Sequence, residues 1–384
     1  MRFDFAASAR ILFGSGTSSQ LPGVVREYGC RALVVTGRDT ARMAPVVSAL
    51  HAAGVDALVF PVEGEPTLEI VRDGARLARE QQRDVVIGLG GGSPMDAAKA
   101  IAAVATNSGE PLDYLEVVGK GQSLRTAPLP FIAVPTTAGT GAEVTRNAVL
   151  GSPEHRVKAS LRSPMMLAKA ALVDADLTLD VPPTITASTG LDTLTQLIEP
   201  YTSCRANAFV DLFCVEGMRR LKESLEFVCK NGRDHGHRES MSFASLLGGL
   251  SLANAGLGIV HGFAGPLGGM LNARHGELCA AVLPHGVLIN VKALRERTPT
   301  SAVLAKYAQA ARILTAKDHA EAEDLAPWLR ELVQRLNIAP LANHGLSREQ
   351  IPLLIEKAAQ ASSTKANPIV LTVEELREIA ERAF

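Results

Sequence analysis

The sequence predicts two parts in series: an α/β half with a mostly parallel sheet over residues 1–183, then an all-helical half over residues 184–384. Three observations carry this. Short β-branched runs alternate with amphipathic helical stretches in the first half, strand patterns vanish after about residue 183, and the double proline Pro182-Pro183 marks the change.

Taken in order, ALVVTG at 32–37 reads as a strand closed by Gly37, and TARMAPVVSALHAAG as a helix with a glycine stop. DALVFPV at 56–62 is the next strand, followed by a helix over 67–82, a strand in DVVIGLGGG at 84–92 and a helix over 93–107. PFIAVPTT at 130–137 makes a further strand. Units of this kind build a parallel sheet covered by helices on both faces. In the second half, Thr186 or Ser188 is expected to cap the first helix. The polar segment KNGRDHGHRES at 230–240 reads as a loop, with His235 and His237 solvated inside it.

Charge and composition exclude several function classes. With 39 Lys plus Arg against 40 Asp plus Glu, the net charge is -1, so the electrostatic footprint of a nucleic-acid binder is missing. Hydrophobic residues at 47% and charged residues at 21% disfavour disorder, and 4% aromatics disfavour an aromatic-lined recognition surface. The five cysteines, Cys30, Cys204, Cys214, Cys229 and Cys279, are odd in number and form no CxxC pair. They argue against a disulfide framework or a zinc ribbon and read as buried or incidental thiols in a reducing compartment. Arg2, Asp4 and Arg10 break the apolar stretch a signal peptide needs, and no window approaches 18 uninterrupted apolar residues. The expectation is a soluble, cytoplasmic protein with no nucleic-acid or membrane partner.

The first candidate site is Gly90-Gly91-Gly92-Ser93, placed after an apolar strand and opening a helix. Glycines let backbone N–H groups approach a diphosphate, and the helix N-terminus adds partial positive charge. A plain strand-to-helix turn needs one glycine and seldom three. PTTAGTGAEVT at 135–145 again follows a strand and offers the Thr137 and Thr140 hydroxyls beside two glycines. By itself this loop is equally an ordinary turn; together the two suit a dinucleotide. Where an NAD-selecting fold places an acid, this chain has Gly37, which makes room, and Arg38, which can pair with a 2′-phosphate. The alternative is that Arg38 is solvated and Asp39 binds the ribose. NADP or NAD is therefore expected, with a lean to NADP.

The helical half offers a metal site. Asp192 and Gln196 are four apart, hence on one face of a helix. His261 and His275 are fourteen apart; a continuous helix would hold them about 21 Å from each other, so the chain must turn between them. Pro266, Gly268, Gly269 and Gly276 make a turn possible. One acid with two imidazoles suits Fe(II) or Zn(II) and leaves a position for a substrate oxygen, although a lone histidine is more often structural.

Along its whole length the chain resembles the iron-containing, or group III, alcohol dehydrogenases. The matching motifs are GGGSPMDAAKA, PTTAGTGAEVT, VDADLTLDVPP, ASTGLDTLTQLIE, GLGIVHGFAGPLGG and ARHGELCAAVLPH. The resemblance implies an N-terminal dinucleotide-binding domain, a helical metal-binding domain, a cleft for hydride transfer, and a homodimer or larger assembly. It places metal ligands, and with them catalysis, at Asp192, His261 and His275. It matches Gly91, Gly92 and Ser93 to the diphosphate loop, Thr137 and Thr140 to the second loop, Lys158 to a lysine near the cofactor, and Gly37 to a position often Asp in NAD-preferring members.

Two positions depart from the family pattern. Gln196 stands where a histidine ligand is usual, a weaker neutral donor, and Gly265 stands where a further active-site histidine follows the first of the pair by four. The expected activity is reversible hydride transfer between a nicotinamide and a small alcohol or aldehyde. One alternative is a reductase of bulkier or carboxylate-bearing substrates, as in maleylacetate reductases, which tend to lack the acid present here as Asp192. Others are a lyase of the dehydroquinate synthase type and a non-catalytic dinucleotide-binding protein.

Overall fold

The computed structural model describes residues 2–152, 154, 157–271 and 273–384. The chain forms two compact units, one comprising Ala6–Thr137 and Gly141–Asp180, the other Met1–Phe5, Ala138–Thr140 and Val181–Phe384.

The first unit is built on strands β1 (Ile11–Phe13), β2 (Arg31–Gly37), β3 (Asp56–Val62), β4 (Val85–Gly90), β5 (Phe131–Pro135), β6 (Asn147–Ser152), β7 (Val157–Arg162) and β8 (Ala170–Val173). Its helices are α1 (Leu21–Arg26), α2 (Thr40–Ala52), α3 (Leu68–Glu80) and α4 (Gly92–Thr106). Six strands form one sheet in the order β1-β8-β5-β4-β2-β3, every neighbouring pair parallel. Strands β4, β5 and β8 are buried at every residue, as expected of a parallel sheet covered on both faces. From β2 the chain runs outward to β3 and then returns to the other side of β2 as β4. That reversal opens a crevice at the carboxyl ends of β2 and β4, the usual ligand position in such sheets. The antiparallel pair β6–β7 was not legible as strands; it docks beside the segment after β3 through Gly151, whose N–H donates to the Pro66 carbonyl at 2.8 Å.

The second unit is helical: α5 (Pro183–Thr202), α6 (Ala208–Lys230), α7 (His235–Ala255), α8 (Ile259–Met270), α9 (His275–Arg297), α10 (Ala302–Thr315), α11 (Leu325–Arg335), α12 (Ile351–Gln360) and α13 (Val373–Ala383). Helix α5 is buried almost throughout from Thr186 to Thr202 and is the axis of its core. Helix α9 is long and apolar enough by composition to cross a membrane, but 78% of that stretch is buried inside the protein's own core. It is a core helix.

Three local expectations are corrected. The segment at 230–240 is mostly helix: Asp234 accepts from the His237 N–H at 2.9 Å and caps α7, so the loop shrinks to the few residues before it. Within α7's first turn His235 is exposed, while His237 is not solvated but packs on Phe227, ring centroids 4.1 Å apart, with Nδ1 3.1 Å from the Ser224 hydroxyl. Neither Thr186 nor Ser188 caps α5, because the helix already begins at Pro183, a residue favoured in the first turn. Thr186 instead accepts from Arg238 at 3.0 Å, and Arg238 also donates to the Val181 carbonyl at 3.0 Å, which ties the start of α5 to α7. The turn between the two histidines falls after Met270, so Pro266, Gly268 and Gly269 lie within α8.

Candidate active site

In the α/β unit the crevice residues come from three adjacent strand ends. Gly37 closes β2, Gly90 closes β4, and Thr136 and Thr137 follow β5, with the Thr136 N–H donating to the Gly90 carbonyl at 2.9 Å. A Cβ at Gly90 would lie 2.8 Å from the Pro94 ring, closer than packing allows, and one at Gly91 would lie a tight 3.2 Å from the Thr137 hydroxyl. No side chain caps α4 at Gly91, which leaves Gly92 and Ser93 at a helix N-terminus suited to an anion. A Cβ at Gly37 would meet only Pro94, at an ordinary 3.9 Å, so glycine is not sterically required there. Asp39 caps α2 by accepting from the Arg42 N–H. Arg38 pairs with Glu63 at 2.9 Å, both largely exposed, and Lys158 on β7 pairs with Glu65 at 3.2 Å. Thr140 belongs to the helical unit, where neighbouring Gly139 accepts from the Thr193 hydroxyl at 3.0 Å.

Behind the glycine loop, Lys99 on α4 is fully buried and donates to Thr145 Oγ1 at 2.9 Å, with Asp96 3.2 Å away. Asp96 in turn accepts from the Val149 N–H at 3.0 Å, so this pair fixes α4 against β6.

In the helical unit α5, α8 and α9 bring Asp192, His261, His275 and Cys279 together, one ligand atom from each lying within 4.8 Å of all the others. Asp192 Oδ1 is 3.3 Å from His261 Nε2 and 3.9 Å from His275 Nε2. Cys279 Sγ is 3.5 Å from the same His275 nitrogen. Asp192 and Cys279 are buried, and among the described residues Asp192 Oδ1 has no hydrogen-bond partner. Gln196, one turn along α5, is likewise buried with its Oε1 unpartnered.

Glycines make the approach possible. A Cβ at Gly276 would lie 2.4 Å from the Ser188 carbonyl oxygen, so only glycine lets α9 begin against α5 and deliver His275. Glu199, also on α5, accepts from the Val260 N–H at 2.7 Å, and its other oxygen lies 2.6 Å from His261 Nδ1. A carboxylate can only accept, so Nδ1 carries the proton and Nε2 is the nitrogen aimed at Asp192. A Cβ at Gly258, which precedes α8, would lie 2.8 Å from a Glu199 carboxylate oxygen, so a side chain there would displace the carboxylate from its contacts.

The field of this cluster favours a cation. Burial works against charge on Asp192, yet His261, His275 and Cys279 outweigh it and hold its carboxyl below the ordinary value. Burial also opposes charge on His261, but Cys279, Glu199 and Asp192 carry its pKa well above the usual imidazole range. His275 is raised in the same way, by Cys279 and Asp192. An acid without a hydrogen bond, two imidazoles and a sulfur in one buried cluster fit a divalent transition metal.

Cys279 and Glu199 were absent from the sequence-derived site. The signal for Cys279 is its spacing of one helical turn from His275 in HGELC, which a search for paired cysteines does not register. Nothing in local sequence marks Glu199, whose role depends on where α8 begins.

A parallel sheet with a glycine-lined crevice, joined in one chain to a helical unit carrying a buried acid–imidazole cluster, defines a metal-dependent dehydrogenase. The family model for iron-containing alcohol dehydrogenases matches residues 8–175, and the model for the C-terminal part of the Fe-containing alcohol dehydrogenase family matches residues 186–384. Lactaldehyde reductase of Escherichia coli is 32% identical over 383 residues, covering 97% of each chain. NAD-dependent methanol dehydrogenase of Bacillus methanolicus is 32% identical over 375 residues, covering 94% of this chain and 96% of its own. Among solved structures, a 1,3-propanediol oxidoreductase superposes with a TM-score of 0.92 at 30% identity, covering both chains completely. The chain belongs to the iron-containing alcohol dehydrogenase family. It is an oxidoreductase that interconverts alcohols and aldehydes, and membership implies iron and a nicotinamide cofactor.

Proposed function

We propose that the protein is a metal-dependent NAD(P)-linked alcohol dehydrogenase whose metal is held by Asp192, His261 and His275, with Gln196 beside them. The observation that carries this is Asp192 Oδ1, buried, without a hydrogen bond and facing both imidazoles at 3.3 and 3.9 Å. When bound, the metal polarises the substrate oxygen and lowers the alcohol pKa, and the nicotinamide carries the hydride.

This chain's residues set the conditions for that chemistry. Asp192 supplies negative charge in a buried site, and Glu199 fixes the His261 tautomer so that Nε2 presents its lone pair. Position 265, one turn after His261, carries no imidazole, so this chain supplies no side chain there to take the alcohol proton and the proton would leave to solvent. A Cβ at Gly265 would meet nothing within 4 Å, so the position has room for a side chain that it does not carry.

Gly91, Gly92 and Ser93 hold the diphosphate through backbone N–H groups at the start of α4, and Thr137, Thr140 and Lys158 are the further cofactor residues that the family resemblance implies. Gly37 and Arg38 favour NADP over NAD, the guanidinium exchanging Glu63 for a 2′-phosphate. Iron(II) or zinc(II) both suit the donor set. A homodimer or larger assembly is expected from the family, and a cytoplasmic location agrees with five free cysteines. An aldehyde panel assayed with NADH and NADPH, alongside metal quantification, tests the reading. Turnover without net nicotinamide oxidation would point to a lyase instead.

A further inference from the structure

The metal-site reading leaves one group unexplained: a fully buried thiol, Cys279, 3.5 Å from His275 Nε2. A neutral thiol hydrogen-bonded to His275 would account for that contact alone. Asp192 Oδ1, 3.9 Å from that same imidazole nitrogen, is buried without a hydrogen bond of ordinary geometry among the described residues. An ion held at ordinary bond lengths, about 2.1 Å to nitrogen or oxygen and about 2.3 Å to sulfur, separates neighbouring donors by roughly 3.0–3.6 Å, a range that leaves room for a substrate oxygen as well. Of the six separations, Asp192–His261 is 3.3 Å, Cys279–His275 3.5 Å and Asp192–His275 3.9 Å, and all six lie within 4.8 Å.

We infer that Cys279 is a thiolate ligand of the metal, the fourth protein donor beside Asp192, His261 and His275. This rests on the metal-site reading and deepens it. Coordination replaces the thiol proton with the ion; the proton leaves to solvent and no electrons move. The thiolate supplies the donor strength that the neutral Gln196 lacks, and it biases the site toward zinc or iron(II) over magnesium or manganese. The i, i+4 spacing on α9 lets one helix deliver both His275 and Cys279.

Titrating metal-free protein with cobalt(II) tests this without any turnover assay. Wild type should show a thiolate-to-cobalt charge-transfer band in the near ultraviolet. Cys279→Ala and Cys279→Ser should bind cobalt without that band, with affinity lower by roughly 10–100-fold or more. Cobalt binding by wild type with no such band, or an unchanged band and affinity in Cys279→Ala, overturns the assignment while leaving the metal site intact. Cobalt binding that Asp192→Ala does not weaken, or no cobalt binding at all, removes the metal-site reading and this ligand with it. The wild-type spectrum decides even if a variant misfolds, and circular dichroism on the variants shows whether one has.

Discussion

Glu199 joins His261 to the start of its own helix: one carboxylate oxygen lies 2.6 Å from the His261 Nδ1 and the other accepts from the Val260 N–H at 2.7 Å. The imidazole is thereby held in orientation with its proton on Nδ1, which leaves Nε2 as the nitrogen that gives up its proton when a metal binds. Glu199→Gln keeps the shape but lets the amide donate, so the Nδ1 proton is no longer specified. The expected result is a 10–100-fold loss of metal affinity with little change in the folded structure, read by chelator competition and circular dichroism. Unchanged affinity would show that the contact only packs α8.

Cofactor choice is tested at exposed Arg38 and half-buried Gly37. Arg38→Ala should lower kcat/KM for NADPH by roughly 10–100-fold, the scale of about 1.5–3 kcal/mol for a charged hydrogen bond, and leave NADH within about twofold. Gly37→Asp, which the surrounding space admits, should move preference toward NADH. A wild-type enzyme that strongly prefers NADH would remove the role given to Arg38.

Gly276 makes a backbone contact that no side chain tolerates, its Cβ position lying 2.4 Å from the Ser188 carbonyl. Gly276→Ala must push α9 away from α5, moving His275 from Asp192. A stability loss of about 1–3 kcal/mol is expected together with weaker metal binding. Denaturant unfolding and metal titration read the two effects separately, and a change in stability alone would contradict the positioning role.

Burial pushes Glu143 up to about 7 from its ordinary value of 4.5, with Lys99 pulling the other way. The folded chain therefore holds this proton more tightly than the unfolded chain does. Stability from Glu143 is present in full below about pH 4.5, is lost as pH rises toward about 7, and changes no further above that. Glu143→Gln should gain thermal stability relative to wild type as the pH rises through that window. A gap that stays constant or shrinks would mean the carboxyl is not held neutral.

The fold was legible because its signals are local. The β-branched runs at β2 to β5 and the helical texture after Pro182 are written in residue periodicity and needed no tertiary information. Strands β6 and β7 escaped because their pairing is antiparallel to each other and their register depends on docking beside Gly151 and Pro66. The site divided the same way. Asp192, His261 and His275 stand out by residue type, whereas Glu199 takes its function from the position of an N–H on another helix. Gly276 was legible as a glycine but not for its reason, since its neighbour, Ser188, is remote in sequence. Short helix caps were the least legible feature: Asp234 redefined a segment that composition alone marks as loop.

We propose that Asp192 and the two imidazoles hold a metal on which alcohol–aldehyde interconversion depends. Aldehyde-dependent NAD(P)H oxidation by wild type and Asp192→Ala, before and after exhaustive chelation and with metal content counted, tests it most directly. The expected result is about one iron or zinc per chain, activity abolished by chelation and restored by the metal, and a loss of roughly 100-fold or more in Asp192→Ala. Turnover undiminished by both chelation and Asp192→Ala would contradict it.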